Sequence, residues 1–211
     1  MALLDLDTFR TAPLAMEPFP YLVVPGFLHA EAAQAVRRDF PDIAHPGLLP
    51  LEATEPGPAF AALIRELTGA NMAAIVSEKF GLDLSGRPTM VTLRGHAPEE
   101  NGEQDDRFHT DSETRLVTAL LYFNADSDSQ SGYPPRGPDG LVGMEAGVPP
   151  ALGTLVAFRR AHHAFHRHEP PTGARRFVMI NWMTSGLAAR RELMRHRLAR
   201  RTPYFPKLSL E

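Results

Sequence analysis

Leu116-Val117-Thr118-Ala119-Leu120-Leu121-Tyr122-Phe123 is the stretch from which the fold class is read. Its branched and aromatic residues suit a pleated strand, and both alternating sets are largely apolar, so both faces of the strand are predicted to be covered. One set, Leu116, Thr118, Leu120 and Tyr122, is expected to look into the interior of a sandwich or barrel. The other set is left for helices to cover. Three further segments share this strand character, at 89–94, 153–158 and 177–182.

Upstream, the period changes to that of helices. Residues 29–39 hold good helix formers and stop before Pro41, and 58–67 place Phe60, Leu63, Ile64 and Leu67 at helical spacing with Gly69 as an end signal. Asn71 is a candidate cap for a helix over 72–80 that stops at Gly81. Before them, Tyr21-Leu22-Val23-Val24 lies between prolines as one extended segment. A last helix is predicted over 187–201. The chain is therefore expected to be a single domain over 1–211: a helical buttress with one short strand over 1–87, a β core over 88–185, and a helix with tail over 186–211. The class is mainly β with N-terminal helices (α+β).

Composition narrows the chemistry. The chain has no cysteine and nine histidines, so a disulfide scaffold, a thiolate zinc site, an iron–sulfur cluster and a cysteine nucleophile are excluded. Twenty prolines and 16 glycines exceed the average share of roughly 12% and suit short strands joined by turns. No apolar run approaches the length of a membrane span, and Asp5 and Asp7 stand where a secretory peptide would be basic. A cytoplasmic protein without a membrane partner is expected. Net charge is −3, yet residues 1–150 hold 10 basic and 22 acidic residues whereas 151–211 hold 12 and 3. Such asymmetry signals either an anionic or nucleic-acid partner for the basic end or two ends that neighbour each other in the fold. Arg190, Arg191, Arg195, Arg197, Arg200 and Arg201 on the last helix are read as a solvated face.

Five of the histidines lie between positions 109 and 168. His109-Thr110-Asp111 is an H-x-D pair, and side chains two apart on a strand share a face, so an imidazole and a carboxylate can converge on one ion. A later histidine from the cluster His162, His163, His166 and His168 would complete two imidazoles and one carboxylate. That set leaves three positions open on a non-haem iron(II) for a cosubstrate and dioxygen. A cosubstrate bound there needs a fixed cation at its far end, and Arg175-Arg176 stand ahead of Trp182 on a predicted strand. Alternation groups Arg176 with Val178, Ile180 and Trp182, and Arg175 with Phe177, Met179 and Asn181.

The run from His109-Thr110-Asp111-Ser112 through Leu120-Leu121-Tyr122-Phe123-Asn124 to Phe165-His166-Arg167-His168-Glu169-Pro170, Arg175-Arg176 and Asn181-Trp182 resembles the iron(II)- and 2-oxoglutarate-dependent dioxygenases of the prolyl-4-hydroxylase-like superfamily. The likeness is most specific in the combination of H-x-D, Tyr-x-Asn, distal His and Arg-Arg before Trp. It implies a double-stranded β-helix, the jelly roll of cupin-like proteins, buttressed by the N-terminal helices. It further implies iron(II) on His109, Asp111 and His166, and 2-oxoglutarate held by Arg176 and Tyr122, with Thr118 as a further contact on the same face and Arg175 as the rival of Arg176. Two stretches depart from the family's pattern: residues 138–143 stand in place of a Gly-Gly-x-Leu strand, and the loop 97–107 is acidic.

His162, His163 and His168 are otherwise read as turn or surface histidines, and His29, His45, His96 and His196 as structural or exposed. Arg94 alternates with Thr92 on the strand leading to H-x-D; it is read either as a pocket cation for an acidic substrate or the cosubstrate, or as a rim ion pair. The expected activity is oxidation of a second substrate coupled to decarboxylation of 2-oxoglutarate, most simply hydroxylation of a small molecule with release of succinate and CO2. A cupin-like metal enzyme that does not use 2-oxoglutarate, and a non-catalytic metal-binding or interaction protein with a basic tail, are the competing readings. A nucleic-acid partner is not needed to explain the basic end.

Overall fold

In a computed structural model, residues 2–17, 19–43, 48–95, 109–110, 114–124, 151–159, 165–166 and 176–201 are described. Helix α3, Pro58–Leu67, lies where periodicity predicts it, and its apolar stripe of Phe60, Leu63, Ile64 and Leu67 is buried. Pro58 opens the helix at no cost, because an N–H in the first turn has no intrahelical partner. Gly57 precedes it and offers no side-chain cap. Asp39, at the end of α2 (Ala30–Arg38), supplies one instead, its Oδ2 accepting the Ala59 N–H at 2.6 Å. The approach is tight enough to require glycine, since a Cβ at Gly57 would lie 2.6 Å from the Asp39 carboxyl carbon. Asp39→Ala is therefore expected to cost about 1 kcal/mol, read as a lowered urea midpoint.

Helix α4, Ala70–Phe80, starts two residues before the expected boundary, with Gly69 rather than Asn71 at the cap, and ends at Gly81 with φ of +62°. A further short helix, α1 (Leu6–Thr11), was not expected. It forms because Asp5 accepts the Thr8 N–H at 2.9 Å and the Thr8 hydroxyl at 2.6 Å, while Phe9 is fully buried. Among the described residues no single helix is long and apolar enough to cross a membrane.

The strands are β1 (Tyr21–Val24), β2 (Leu49–Pro50), β3 (Thr89–Arg94), β4 (His109–Thr110), β5 (Arg115–Tyr122), β6 (Leu155–Arg159), β7 (Phe165–His166) and β8 (Phe177–Met183). Six of them form an antiparallel sheet in the order β1-β6-β5-β8-β3-β2, and β4 pairs with β7 in a second, two-stranded sheet. The architecture is mixed helix and antiparallel sheet. One face of the large sheet packs on the N-terminal helices: Val117, Ala119, Leu121, Phe123, Val178, Ile180 and Trp182 join the side chains of α2, α3 and α4 in the main core. The opposite face carries Leu120, Tyr122, Val156, Phe158, Phe177 and Met179, with Phe19 against Phe158. The expected double coverage of β5 is thus seen, with one exception. The register shifts between Arg115 and Val117, and Leu116 packs with the helix-side core instead of sharing a face with Leu120 and Tyr122.

Helix α5, Gly186–Arg201, covers one end of the second face through Ala188 and Ala189, which pack with Met90 and Met183. Arg190, Arg191 and Arg195 are exposed, in keeping with a solvated face. Glu192, the one acid on this helix, is buried, and it accepts from Arg195 Nη1 at 3.1 Å and Thr114 Oγ1 at 3.4 Å. Half-buried His196 lies in the same neighbourhood. Burial, then the Arg115 cation, push its imidazole below the ordinary range against an opposing pull from Glu192. The unfolded chain therefore takes up a proton first as pH falls. Stability should be full above the ordinary value of 6.5 and decline as pH drops from there towards the lower folded value. A melting-temperature series from pH 8 to pH 5 should show that decline, and His196→Gln should reduce its slope.

Candidate metal centre and pocket face

Two short strands carry the histidines singled out by sequence. β4 and β7 pair antiparallel in a register that sets His109 directly opposite His166 and Thr110 opposite Phe165. Residues 109 and 166 are far apart in the chain and adjacent in the fold. Asp111 lies outside the described residues, as do His45, His96, His162, His163, His168 and Arg175, the acidic loop 97–107 and the stretch 138–143.

The second face of the large sheet is organised in rows by its register. Tyr122, Phe177 and Arg94 form one row across β5, β8 and β3; Leu120, Met179 and Thr92 form the next; Thr118, Asn181 and Met90 form the third. Tyr122 is buried, with its ring edge-on to Phe177 at 5.9 Å. Thr118 is buried too, and its hydroxyl donates to Asn181 Oδ1 at 2.8 Å. Tyr122 and Thr118 thus share the face that alternation assigned to them, and Arg94 stands on it beside Phe177.

Arg176 is placed differently. It is half-buried just before β8; its N–H donates to Asn124 Oδ1 at 2.7 Å and its carbonyl accepts the Phe123 N–H at 2.9 Å. This sets Arg176 opposite Phe123, whose ring packs with Phe40 and Phe60 in the helix-side core. By register, then, Arg176 continues the face of Val178, Ile180 and Trp182, and not the face that holds Tyr122.

Two polar residues on this second face were not expected from sequence to serve the site. Thr92 and Asn181 are fully buried, yet among the described residues Thr92 Oγ1 and Asn181 Nδ2 have no hydrogen-bond partner. Buried polar atoms are almost always paired, because an unmet group costs about 1–3 kcal/mol. The signal in the sequence was a polar residue at an inward position of an otherwise apolar strand, in Met90-Val91-Thr92-Leu93 and Ile180-Asn181-Trp182. These unmet donors, with Tyr122 on the same face, fit a ligand that presents acceptor oxygens. Two histidine positions set opposite each other suit the two nitrogen donors of a divalent iron centre.

Residues 93–184 match the family model described as the 2OG-Fe(II) oxygenase superfamily. Among solved structures, the chain is similar to a prolyl-4-hydroxylase from Pseudomonas putida, with 18% identity and a TM-score of 0.52 over 86% of this chain and 97% of that one. It is also similar to a prolyl 4-hydroxylase from Phytophthora capsici, with 15% identity and a TM-score of 0.53 over 95% of this chain and 77% of that one. At such identities the likeness speaks for the fold. None of the curated proteins matches the chain by sequence.

Proposed function

We propose that the chain is an iron(II)- and 2-oxoglutarate-dependent oxygenase that hydroxylates an unactivated C–H bond of a small molecule, a reading supported by the match of residues 93–184 to the 2OG-Fe(II) oxygenase superfamily model. The observation that carries the proposal is the pairing of His109 with His166. Directly opposed residues of an antiparallel pair share a face, so the register puts positions 109 and 166 on one side of the β4–β7 pair. Asp111 supplies the carboxylate. We read the six-stranded sheet as the larger sheet of a jelly roll, with β4 and β7 contributed by the smaller one.

When bound, iron(II) with 2-oxoglutarate supplies the activation of dioxygen, one oxygen atom entering succinate, with CO2 released, and the other entering the substrate as hydroxyl. The chain's own contribution is to hold and shield. His109, Asp111 and His166 fix the metal and leave three positions open. Tyr122 donates its hydroxyl to the far carboxylate of the cosubstrate, with Thr118 as a deeper polar contact, and one arginine of the pair Arg175-Arg176 neutralises that carboxylate. Phe177, Met179 and Leu120 make the surrounding wall apolar, which keeps water from the reacting centre.

The register of β8 bears on which arginine serves. Alternation counted from Phe177, the partner of Tyr122, gives position 175 the parity of the pocket face, whereas family resemblance points to Arg176. Arg175→Ala is expected to raise the dissociation constant for 2-oxoglutarate at least tenfold, and Arg176→Ala to raise it less. The opposite order, measured by titration of the metal-loaded protein, would mean that the alternation breaks between 176 and 177.

The deciding experiment is anaerobic addition of iron(II) and then 2-oxoglutarate, followed by oxygen. A weak visible charge-transfer band and then succinate are expected. A folded protein that gives neither is not an oxygenase of this kind. Small-molecule and peptide substrates are distinguished by offering free proline and prolyl peptides in the same assay.

A further inference from the structure

β5 ends at Tyr122, which pairs with Phe177, and one residue further on the Phe123 N–H donates to the Arg176 carbonyl at 2.9 Å. An antiparallel ladder closes such a pair with a second backbone bond, from the Arg176 N–H to the Phe123 carbonyl. Here the Arg176 N–H donates to a side chain, Asn124 Oδ1, at 2.7 Å. The backbone of Asn124 has turned to a different neighbour, bridging to Ala151, which leads into β6 on the opposite side of β5 from β8. Its carboxamide reaches back and stands in for a main-chain acceptor. Arg176 is thus held at both of its backbone polar groups, and its N–H belongs to the peptide that joins Arg175 to Arg176. Side chains alternate faces along a strand, so the orientation of that peptide decides which of the two arginines turns to the face of Tyr122. Asn124 is only 2% exposed, so the bond is sheltered from competing water.

We propose that Asn124 is a positioning residue for cosubstrate binding: by holding the peptide between Arg175 and Arg176, it sets which arginine meets the far carboxylate of 2-oxoglutarate beside Tyr122. This rests on the oxygenase reading and adds to it a residue that acts through the backbone of the arginine pair. A guanidinium pairs with a carboxylate through a fork of fixed geometry, so a small rotation of the backbone that carries it costs affinity for that carboxylate alone. The metal-binding end of the cosubstrate is indifferent to it.

The test uses the full chain loaded with manganese(II) in place of iron, so that no turnover occurs, and titrates it calorimetrically with 2-oxoglutarate and, separately, with 2-oxopentanoate. The two acids share their length and their metal-binding end, and differ in a carboxylate against a methyl group at the far end. The wild-type protein is expected to prefer 2-oxoglutarate by about tenfold or more. Asn124→Leu, which keeps the size of the side chain and removes its acceptor, should bind 2-oxoglutarate about tenfold less tightly, with affinities for 2-oxopentanoate and manganese(II) within about twofold of wild type. Asn124→Asp, which keeps an acceptor oxygen at the same reach, should restore the preference. If Asn124→Leu does not fold, Asn124→Ser, whose hydroxyl is too short to make the bond, carries the same expectation. A merely structural asparagine would lower the melting temperature of the Leu variant and leave the ratio of the two affinities unchanged, and that result overturns the proposal. So does an Asp variant as weak for 2-oxoglutarate as the Leu variant, because the acceptor is then not what matters. Wild-type protein that binds neither acid removes the oxygenase reading and this proposal with it, whereas a wild-type preference that survives in Asn124→Leu removes the proposal alone.

Discussion

His166→Ala is expected to abolish iron(II) binding, and with it succinate formation, whereas His162→Ala, His163→Ala and His168→Ala retain both. The reason is positional. β7 is two residues long, and its register sets residue 166 itself against His109, so a neighbouring histidine cannot substitute without a slip. His163 is an odd number of residues away and would face the other way, while His162 and His168 would need slips of four and two residues that give up the pairing of Thr110 with Phe165. Loss of a direct ligand should exceed the roughly 10–100-fold that removing an outer hydrogen-bond partner of a metal ligand costs. Anaerobic iron titration of the four variants measures this directly, and retained binding by the His166 variant with loss by the His168 variant would reassign the ligand.

Phe60→Ala is expected to lower stability by about 3–5 kcal/mol, a large share of the roughly 5–15 kcal/mol that holds most domains folded. Phe60 is fully buried, with ring centroids 5.1 Å from Phe40 and 5.7 Å from Phe123. Those three rings join α3, the end of α2 and the end of β5, so the void cannot close without moving the sheet. Phe123 also donates its backbone N–H to the Arg176 carbonyl, so the same cavity loosens the backbone that leads to the arginine pair. Urea unfolding should show a lower midpoint with an unchanged slope. A shift below about 1 kcal/mol would mean that Phe40 and Phe123 collapse into the space.

What the sequence revealed follows from how local each cause is. The stripe Phe60, Leu63, Ile64 and Leu67 lies within one helix and locates α3, Pro58–Leu67, to the residue. The strand Thr89–Arg94 is likewise bounded by its own residues. Features set by distant partners were harder to see. Asn71 looks like a cap, but Gly69 takes that place in α4. α1 holds a single buried side chain and depends on Asp5 folding back on Thr8, which no apolar periodicity announces. β2 is a two-residue pairing ending in Pro50, too short to carry a pattern. The break at Leu116 belongs to the partner's register, not to β5 alone. At the site, the residue types of H-x-D and the later histidines suggested iron, whereas the opposition of His109 and His166 is a tertiary fact. Thr92 and Asn181 are polar residues at inward positions of apolar strands, and their lack of partners among the described residues shows only in the fold.

The strand order β1-β6-β5-β8-β3-β2 has a consequence for how the chain is made. Tyr21 pairs with Phe158, and β3, complete by Arg94 and flanked by the two-residue β2, meets its long partner only with Phe177–Met183. A ribosome therefore releases the N-terminal helices with their apolar stripes well before the strands that cover them exist. Pairings this distant in sequence slow folding, since each must close a long loop before any contact repays it. During synthesis the exposed stripes of α3 and α4 are open to misassociation, and chaperone demand should be greatest in the interval between emergence of Phe80 and of Met183.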